Sequence, residues 1–573
     1  MGEIVETDVL VVGGGGAAAR AALEAQQLGV KVVLAVKGSF GAIGTRGAGA
    51  TASGLSAVGV FATPGWTGFL NERERPFADR FFLPREQAFT NIIQVGLGMA
   101  DPKLARIIVE EAVENRMALL NWGVAFGGRG IRSHGVPIVE ALASQIRRAN
   151  VSVRDRTMIV NLLVQDGECV GAIGIDETNG DTVVVKAGAT IIATGGDANL
   201  FMLNLNPPCN TGDGYAMGYE AGAELVNLEF KQIFLGTVYP TKNMLLRALP
   251  PHVKLTNARG EEFLQHYLPE GASPEECLAQ RQLHNPFSTR DTLSKYVDIA
   301  IIGEVKVGRG TEHNGIYLDR TDPRIPPLEV ARQEFWLYRG IDFTKCPVEI
   351  GTCHHSSLGG FRIDENAQTP LPHLYAAGES AAGPHGADRL GGHMLLASQV
   401  FGARAGKHSA SYARSQRLRD IDSRVSRAAE ERIKALRDRK GNQKPAELKR
   451  TLQQSAYYNL LVIRSKESLT RLLSDIRGIG EMVSRLSIAS PQELVEALEL
   501  QNLLLLAELE ANVCLKRTES RGPHYREDFP LQDNRNWLKS ITVKKVAGRR
   551  QLGAVALDPT WESKGDEKVR MWG

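Results

Sequence analysis

The sequence predicts an α/β protein whose first domain has a Rossmann-like fold. Three consecutive features predict this domain. An apolar run at residues 8–12 (DVLVV) has the composition of a buried parallel strand, and four glycines follow it directly. The next segment, AAARAALEAQQLG, predicts a helix that ends at Gly29, and residues 30–36 (VKVVLAV) predict a second strand. A strand, a glycine turn, a helix and a second strand together form a βαβ unit.

The glycine turn of this unit has the residues that bind a pyrophosphate. Gly13 permits the tight turn, Gly15 lets the backbone approach the phosphates, and Ala18 allows the helix to pack closely on the strand. The helix N-terminus presents N–H groups and the positive end of its dipole to the phosphates. The run is therefore predicted to bind a dinucleotide.

Two later segments indicate which dinucleotide binds. ATGG at residues 193–196 and YAAGES at 375–380 are both typical of flavoproteins with this fold, and the second supplies Glu379 for the ribose. An NAD site usually has an acid at the end of the second strand, whereas Val36 and Lys37 stand there. We therefore predict an FAD-binding domain.

The rest of the chain predicts further domains, as expected for 573 residues. Short β-branched segments with Asp-Gly and Asn-Gly turns extend the first domain. An irregular stretch rich in proline and polar residues predicts an inserted α+β capping domain, and a charge-patterned stretch predicts a helical domain. A short C-terminal tail follows. The expected boundaries are 1–232 and 351–415 for the two parts of the FAD-binding domain, 233–350 for the capping domain, 416–518 for the helical domain and 519–573 for the C-terminal segment.

Composition and charge argue against several classes of protein. The 68 basic and 65 acidic side chains nearly balance, so we expect no nucleic-acid partner. None of the six cysteines forms a C-x-x-C pair, so we expect no zinc site and no iron–sulfur cluster in this chain, and a reducing compartment. No apolar run reaches the roughly 18 residues of a membrane span, and the first residues leave no room for a signal peptide. We expect a cytoplasmic protein that reaches a membrane only through a partner.

Nine segments in order give the chain a specific resemblance. They are GGGGAAA, TRGAGATASGLSA (45–57), ATGG, TGDGYAMGYEAGA (211–223), STRDTLSK (288–295), HSSLGG (355–360), YAAGE, HGADRLGGHMLL (385–396) and ESRGPHYREDFP (519–530). The sequence resembles the flavoprotein subunits of succinate dehydrogenase and fumarate reductase, with L-aspartate oxidase and adenylylsulfate reductase as relatives. The resemblance implies the same domain order and hydride transfer between flavin N5 and a substrate carbon. We expect cofactor contacts from Gly13, Gly15, Gly16, Ala18, Lys37, Gly38, Thr45, Gly49, Ala193, Thr194, Gly195, Asp213, Glu379, Met394 and Leu395.

The resemblance also implies three catalytic residues. Arg290 matches the arginine that donates or accepts a proton, although a capping pair with Asp291 would be a structural alternative. Arg389 matches the arginine that clamps a substrate carboxylate, a task that suits its planar fork of donors. His355 matches a histidine that contacts a carboxylate, and the adjacent His354 competes for that role.

Two further matches have weaker implications. Phe126 matches an aromatic residue that presses on the substrate, with a place in the core as the alternative. The segment 519–528 matches one that closes over the active-site region, and its charges are expected to form a structural network with no catalytic role.

The sequence departs from the family pattern at three places. The loop after the second strand lacks the histidine that binds FAD covalently, with Gly47 near that position, so we predict noncovalent FAD. Phe234 stands near the histidine of a Q-F-H-P-T segment, and residues 243–263 lack a threonine–glutamate pair that binds a carboxylate and relays protons. Arg247 and His252 lie in that stretch and could serve a different substrate.

These losses affect the expected substrate. A buried site does not accept a different anion easily, because each unpaired polar group costs about 1–3 kcal/mol. Succinate or fumarate is therefore doubtful, and a related carboxylic acid or another small anion is expected. Lacking cluster ligands, the chain should pass electrons to an iron–sulfur partner. The alternatives are an enzyme like adenylylsulfate reductase, one like L-aspartate oxidase, and a non-enzymatic electron-transfer flavin subunit.

Overall fold

A computed structural model of the chain describes residues 3–42, 59–60, 63–65, 83–126, 132–133, 135–246, 249–250, 252–283, 286–290, 292–325, 330–338 and 340–557. Its strands are β1 (Glu3–Val12), β2 (Val32–Ala35), β3 (Gly59–Val60), β4 (Arg132–Ser133), β5 (Ser152–Arg154), β6 (Thr157–Gln165), β7 (Glu168–Asp176), β8 (Thr182–Ile192), β9 (Leu225–Val226), β10 (Lys231–Tyr239), β11 (Leu245–Leu246), β12 (Lys254–Thr256), β13 (Ile316–Asp319), β14 (Val348–Ser357), β15 (Gly360–Phe361), β16 (Leu374–Ala376), β17 (Ile463–Arg464), β18 (Tyr525–Arg526), β19 (Lys539–Val546) and β20 (Arg549–Ala556).

The α-helices are α1 (Gly16–Gln27), α2 (Arg85–Val95), α3 (Pro102–Glu110), α4 (Ala112–Asn121), α5 (Gly135–Arg148), α6 (Asp213–Glu220), α7 (Pro274–Leu283), α8 (Lys295–Lys306), α9 (Val330–Tyr338), α10 (His393–Arg414), α11 (Ser423–Arg437), α12 (Pro445–Ala456), α13 (Lys466–Val483), α14 (Pro491–Lys516) and α15 (Asn534–Trp537).

The first sheet contains the predicted βαβ unit. Its strand order is β5-β2-β1-β8-β7-β6, and β16 pairs with β8. β1 runs parallel to both β2 and β8, which buries its apolar residues under helices α1 and α10. The Asp-Gly turn between β6 and β7 is also confirmed, because Asp166 and Gly167 both have positive φ, at 52° and 80°. This sheet brings the carboxyl ends of β1, β8 and β16 to one edge, where ligands bind in such folds.

The second sheet lies in the stretch predicted as the capping domain. Its order is β11-β10-β14-β13-β12, with antiparallel pairing throughout. β10 begins at Lys231, before the expected boundary at residue 233, and β14 ends at Ser357, after the expected boundary at residue 350. Both expected boundaries therefore fall inside a strand. The same two strands therefore carry residues of the cap core and residues that face the cofactor domain.

Helices α11 to α14 follow, and α14 is the longest of the described helices at 26 residues. Ser490 caps its N-terminus by accepting a hydrogen bond from the N–H of Glu493, and Pro491 occupies the first position, where its missing N–H costs nothing. The helix is buried along much of its length and includes two buried acids, Glu499 and Glu510. These acids reach into the cofactor domain.

The C-terminal residues, expected only as a short tail, form regular structure. β19 and β20 make a hairpin that joins β9 and β15 in a four-stranded sheet of order β15-β9-β19-β20. β18 pairs in parallel with β17 of the helical region. The prediction missed this sheet because β9 and β15 are only two residues long and lie far away in the sequence. Among the helices that the structure describes, none is long and apolar enough to cross a membrane.

Candidate active site

The end of β1 and the start of α1 form the predicted pyrophosphate cradle. Gly13 has a φ of +128°, and a Cβ there would lie 2.2 Å from the carbonyl oxygen of Ala193. Gly15 is the N-cap of α1 and carries no side chain, so a phosphate can approach the helix end closely. Ala18 is fully buried. The glycine turns after β1 and β8 therefore pack closely against each other, and a side chain at Gly13 would collide with the second turn.

The turn after β8 is joined to the turn after β16. Ser380 donates a hydrogen bond to the carbonyl of Gly195 at 3.1 Å, and its hydroxyl lies 3.4 Å from that of Thr194. The Glu379 carboxylate accepts a hydrogen bond from the Ser357 N–H at 2.8 Å. A Cβ on Gly196 would lie 2.6 Å from the same carboxyl oxygen. The residues predicted from ATGG and YAAGES therefore line one continuous surface.

Burial raises the pKa of Glu379 to about 7, although the Ser357 N–H opposes that shift. A hydroxyl of a ribose, donating to this carboxylate, would favour its charged form. The residues at the ends of β1, β8 and β16 thus fit the FAD that the sequence predicts.

Lys37 and Asp213, both predicted as cofactor contacts, bind each other. The Lys37 Nζ lies 2.6 Å from Asp213 Oδ2, 2.7 Å from Thr211 Oγ1 and 3.1 Å from Glu499 Oε1. Burial would lower the pKa of Lys37, but Asp213 and Glu499 outweigh it and hold the pKa above its ordinary value. Sequence reasoning missed Glu499 because a glutamate on a helix gives no sign of a distant partner. Thr45 and Gly49, along with Gly47, lie outside the described residues.

A second buried lysine has a similar environment. The Lys231 Nζ lies 2.6 Å from Asp197 Oδ2 and 2.8 Å from Glu510 Oε1, and these three groups are almost completely buried. The Ser357 hydroxyl donates to the other oxygen of Asp197. This cluster connects β10, the turn after β8 and α14, immediately behind the Ser357 N–H that binds Glu379.

Arg389 lies in the buried loop before α10. Its Nη2 donates to Gln232 Oε1 at 2.5 Å, and the Gln232 side chain donates in return to the carbonyl of Arg389 at 3.3 Å. Burial lowers the pKa of Arg389 to about 10, and its Nε finds no partner in the described part of the chain. A buried guanidinium with an unused donor is suited to bind an anion.

The structure distinguishes the two candidate histidines. β10 and β14 pair Gln232 with Ser356 and Ile233 with His354, so His355 is the extra residue of a β-bulge. His354 is buried, stacks on Phe201 with ring centroids 5.2 Å apart, and has its pKa lowered to about 3 by burial. His355 instead lies edge-on to Phe234, with ring centroids 4.9 Å apart.

Alternation along β10 then relates His355 to Arg389. Gln232 and Phe234 are two residues apart, so their side chains point to the same face of the strand. Gln232 contacts Arg389, and Phe234 contacts His355. The opposite face carries Lys231 and its acids. Arg389 and His355 therefore lie on one side of β10, while His354 faces the other.

Arg290 is held against the C-terminal end of α2. Its Nη2 donates to the carbonyls of Gln94 and Val95 at 2.9 and 2.7 Å. Burial lowers the pKa of Arg290, and its Nε has no partner in the described ranges. The guanidinium therefore caps the C-terminal end of α2 through Nη2. Its Nε–H donor takes no part in this cap. Asp291, the structural alternative partner, lies outside the described residues.

Met394 and Leu395 lie in the first turn of α10. Gly392 precedes the helix with a φ of +81° and makes no side-chain cap. The first helical residue, His393, is buried with its pKa lowered to about 4, chiefly by burial, and its Nε2 has no partner among the residues that are described. Sequence reasoning did not select Gln232, Asp388 or His393, although the last two lie inside the HGADRLGGHMLL segment that it quoted.

The sequence also indicated Phe126, Arg247 and His252 as candidate residues. Phe126 packs on Arg116, whose Cζ is 4.2 Å from the ring centre, and joins the main apolar core. His252 is exposed on the cap, and Arg247 lies outside the described residues. The described residues include no group of His, Cys, Asp or Glu able to hold a metal ion.

The segment 519–528 forms a buried ionic network. Glu519 binds both Arg517 and Arg521, and the Arg521 Nη1 donates to the carbonyl of Leu97 at 2.8 Å. The carbonyl of Gly522 accepts a hydrogen bond from the Thr289 N–H at 2.7 Å, next to Arg290. The segment therefore holds the loops that carry the candidate catalytic residues.

Comparison with known proteins identifies two family models in the chain. A model of an FAD binding domain matches residues 8–395, and a model of the fumarate reductase flavoprotein C-terminal region matches residues 449–563.

The relatives agree with these family models. One subunit of the fumarate reductase (CoM/CoB) of Methanothermobacter marburgensis is 32% identical, over 96% of this chain and 99% of that protein. Among solved structures, Mycobacterium smegmatis Sdh1 in complex with UQ1 superposes with a TM-score of 0.80 at 25% identity, over 97% of this chain and 95% of that one. Adenylylsulfate reductase from Archaeoglobus fulgidus gives a TM-score of 0.70 at 21% identity, over 98% and 97% of the two chains, which shows a shared fold.

Proposed function

This chain belongs to the family of fumarate reductase and succinate dehydrogenase flavoproteins, and from that membership we propose that it transfers a hydride between its FAD and a carbon next to a substrate carboxylate. The family makes it an FAD-dependent oxidoreductase. The bound FAD supplies the hydride chemistry, which no amino-acid side chain provides. The side chains of this chain bind and orient the substrate and move the proton.

One observation carries the proposal: Arg389 and His355 lie on the same side of β10, linked through Gln232 and Phe234. Arg389 is buried, and its Nε remains available for an anion. A buried guanidinium binds a carboxylate strongly because two parallel hydrogen bonds fix the plane of the anion. Such a fixed plane orients the neighbouring carbon for hydride transfer.

Arg290 is the group that we propose to exchange a proton with the substrate. Its anchoring on Gln94 and Val95 fixes the guanidinium and leaves Nε unused. Burial lowers the pKa of Arg290, so its charged form is a stronger acid than an exposed arginine. The fixed position and the lowered pKa both support this role.

We propose an unsaturated carboxylic acid as the oxidised substrate. The full-length relative named as a fumarate reductase makes fumarate the first compound to test. Phe234 lies beside His355, and we propose that its ring lines the part of the pocket where a second carboxylate would need a polar partner. We therefore expect acids with one carboxylate and an apolar end, such as crotonate, to compete well with fumarate.

The FAD is proposed to be noncovalent, because the segment 37–54 contains no histidine. Gly13, Gly15, Lys37, Asp213 and Glu379 would hold it through the cradle and the surface described above. Precipitation with acid should then release all the flavin, and flavin retained on the polypeptide would contradict this proposal.

An iron–sulfur subunit is proposed as the electron partner. Five of the six cysteines are buried and all six are unpaired, which suits a reducing compartment. We further propose a cytoplasmic location, with any membrane attachment supplied by that partner. Copurification of an iron–sulfur protein from the native host would support this arrangement.

The central test uses purified protein loaded with FAD. The flavin is reduced with dithionite, and its absorbance is followed after addition of fumarate, crotonate, iminoaspartate or adenylylsulfate. Reoxidation by an unsaturated acid is the expected result. If no unsaturated acid restores the oxidised spectrum, the proposed function is wrong, and reoxidation by adenylylsulfate would replace it with the alternative chemistry.

A further inference from the structure

Lys231 is the first residue of β10 and has no role in the proposed substrate pocket. Its side chain is only 1% exposed, and it lies on the face of the strand opposite to Arg389 and His355. A buried ammonium is costly, because desolvation disfavours its charge unless close acceptors surround it. The acceptors around Lys231 therefore indicate what this residue does.

The three N–H donors of the ammonium match three acceptors. The Lys231 Nζ lies 2.6 Å from Asp197 Oδ2, 2.8 Å from Glu510 Oε1 and 3.3 Å from Ser357 Oγ. These acceptors belong to three separate parts of the fold, which are the turn after β8, helix α14 and the end of β14. Because every donor of the ammonium is used, the lysine holds these three elements at fixed distances from one another.

Two of these acceptors lead directly to the segments that predict FAD. Asp197 directly follows the ATGG turn in the chain. The Ser357 hydroxyl donates to Asp197, and the Ser357 N–H donates to Glu379 Oε1 at 2.8 Å. Lys231 and Ser357 are also directly paired in the register of β10 and β14. The lysine therefore lies where the ATGG and YAAGES segments are joined.

Glu379 depends on this junction for its orientation. Within the described part of the chain, the Ser357 N–H is the one group that donates a hydrogen bond to its carboxylate. A Cβ on Gly196 would lie 2.6 Å from Oε1, so the turn that leads to Asp197 also packs closely on the carboxylate. Movement of either contact would displace the carboxylate from the place proposed for the ribose.

We propose that Lys231 is a positioning residue of the cofactor site, whose ammonium fixes the Glu379 carboxylate for the ribose and thereby sets the affinity of the chain for FAD. The proposal rests on the noncovalent FAD proposed above and on Glu379 as one of its contacts. Lys231 acts through Asp197 and Ser357, and it needs no contact of its own with the cofactor.

The charge of the ammonium adds to its effect on position. Burial raises the pKa of Glu379 to about 7, and Asp197 acts in the same direction. The Ser357 N–H, Lys231 and Arg389 oppose that shift. Without the ammonium, the Glu379 carboxyl would keep its proton to a higher pH. A neutral carboxyl accepts a hydrogen bond more weakly than a carboxylate does.

Three further ionisable groups face the same cluster, namely Tyr215, His354 and Glu510. Burial raises the pKa of Tyr215 well above its ordinary range and lowers that of His354 to about 3, so both are neutral near pH 7. Burial also raises the pKa of Glu510, which lies on α14. Of the carboxyl groups in this cluster, Glu379 is the one proposed to meet the cofactor. FAD affinity is therefore expected to follow the titration of Glu379.

The test measures the dissociation constant of FAD for the full-length chain between pH 6 and pH 9, from the quenching of flavin fluorescence. In the wild type the constant should be lowest above about pH 7 and should rise as the pH falls and Glu379 takes up a proton. In Lys231→Met the constant should be about tenfold higher at pH 7, and its rise should begin at about pH 8 or higher.

Arg281→Met is the matched control. It also removes a buried cation from beside a buried acid, since Arg281 lies 2.8 Å from Asp298 in the second sheet's part of the chain and both side chains are at most 2% exposed. Like Lys231→Met it should lower Tm, but the dissociation constant of FAD and its pH dependence should not change. Glu379→Gln should bind FAD weakly at every pH, which identifies Glu379 as the titrating group.

Lys231→Gln replaces Lys231→Met if the latter does not fold, because glutamine keeps two N–H donors but carries no charge. A dissociation constant and pH dependence equal to those of the wild type, in the variant that folds, would overturn the proposal. An equal change in Arg281→Met would also overturn it, since the effect would then come from lost stability. Flavin that acid does not release, or wild-type pH dependence in Glu379→Gln, would instead refute the proposed cofactor site.

Discussion

Gln232 and Arg389 hold each other through a pair of reciprocal hydrogen bonds. The Arg389 guanidinium donates to Oε1 of Gln232, and the Gln232 amide donates to the backbone carbonyl of Arg389. Because Gln232 lies on β10, this strand orients the Arg389 guanidinium, which we propose binds the substrate carboxylate.

Gln232→Ala should weaken substrate binding while the flavin stays bound. The loss of a hydrogen bond to a charged group costs about 1.5–3 kcal/mol, which corresponds to a rise in KM of about tenfold or more. Steady-state kinetics with fumarate and crotonate would measure it. Gln282→Ala, which removes a cap glutamine that donates to the carbonyl of Leu249, is the control and should leave KM unchanged. An unaltered KM in Gln232→Ala would show that Arg389 does not need this support.

Phe234→His should shift the enzyme towards dicarboxylates. The new imidazole would stand beside His355 and offer a polar partner to a second carboxylate. We expect the ratio of kcat/KM for fumarate over crotonate to increase about tenfold, because one added hydrogen bond to a charged group is worth about 1.4 kcal/mol or more. Phe234→Leu removes the ring without adding a donor, so it should not raise this ratio. A similar ratio in both variants would contradict the proposed place of Phe234 in the substrate pocket.

Gly13→Ala should abolish FAD binding. Its Cβ would lie 2.2 Å from the carbonyl oxygen of Ala193, and the φ of +128° strains any other residue. Gly29→Ala is matched to it, because Gly29 also has positive φ, at 76°, but a Cβ there meets no atom within 4 Å. Flavin absorbance per polypeptide measures the outcome. Retention of FAD by Gly13→Ala, or its loss in both variants, would show that the cradle is not specific.

His354 should make the stability of the holoenzyme depend on pH. Burial lowers its pKa to about 3 from the ordinary 6.5, so the folded chain binds its proton less readily than the unfolded chain does. The stabilisation is complete above about pH 6.5 and is lost as the pH falls towards 3. Tm should therefore fall more steeply between pH 6.5 and pH 5 in the wild type than in His354→Leu. Parallel curves for the two proteins would show that the pKa of His354 is the same in the folded and the unfolded chain.

The local part of the fold could be predicted from the sequence. The βαβ unit depends on a strand, a glycine turn and a helix that are contiguous, and the Asp-Gly turn depends on two adjacent residues. Each is specified by neighbours in the chain, so residue pattern alone predicts it. The C-terminal hairpin could not be predicted in the same way, because its sheet partners are two-residue strands remote from it.

The site was predictable to the extent that its residues have distinctive chemistry. Arg389 and His355 were predicted, but the choice between His354 and His355 depends on a bulge in β14 that is created by pairing with β10. Gln232 was missed because its role comes from a contact across 157 residues.

Helix α14 has a consequence for how the protein is made. Its Glu499 and Glu510 neutralise Lys37 and Lys231, two lysines buried in the cofactor domain. Until α14 docks, each lysine lacks one of its balancing charges, and the surface around Glu379 is incomplete. During translation the first domain would therefore emerge from the ribosome with its cradle formed but unsupported. FAD is expected to be captured firmly only once synthesis has passed residue 510, which makes cofactor loading a late event in biogenesis.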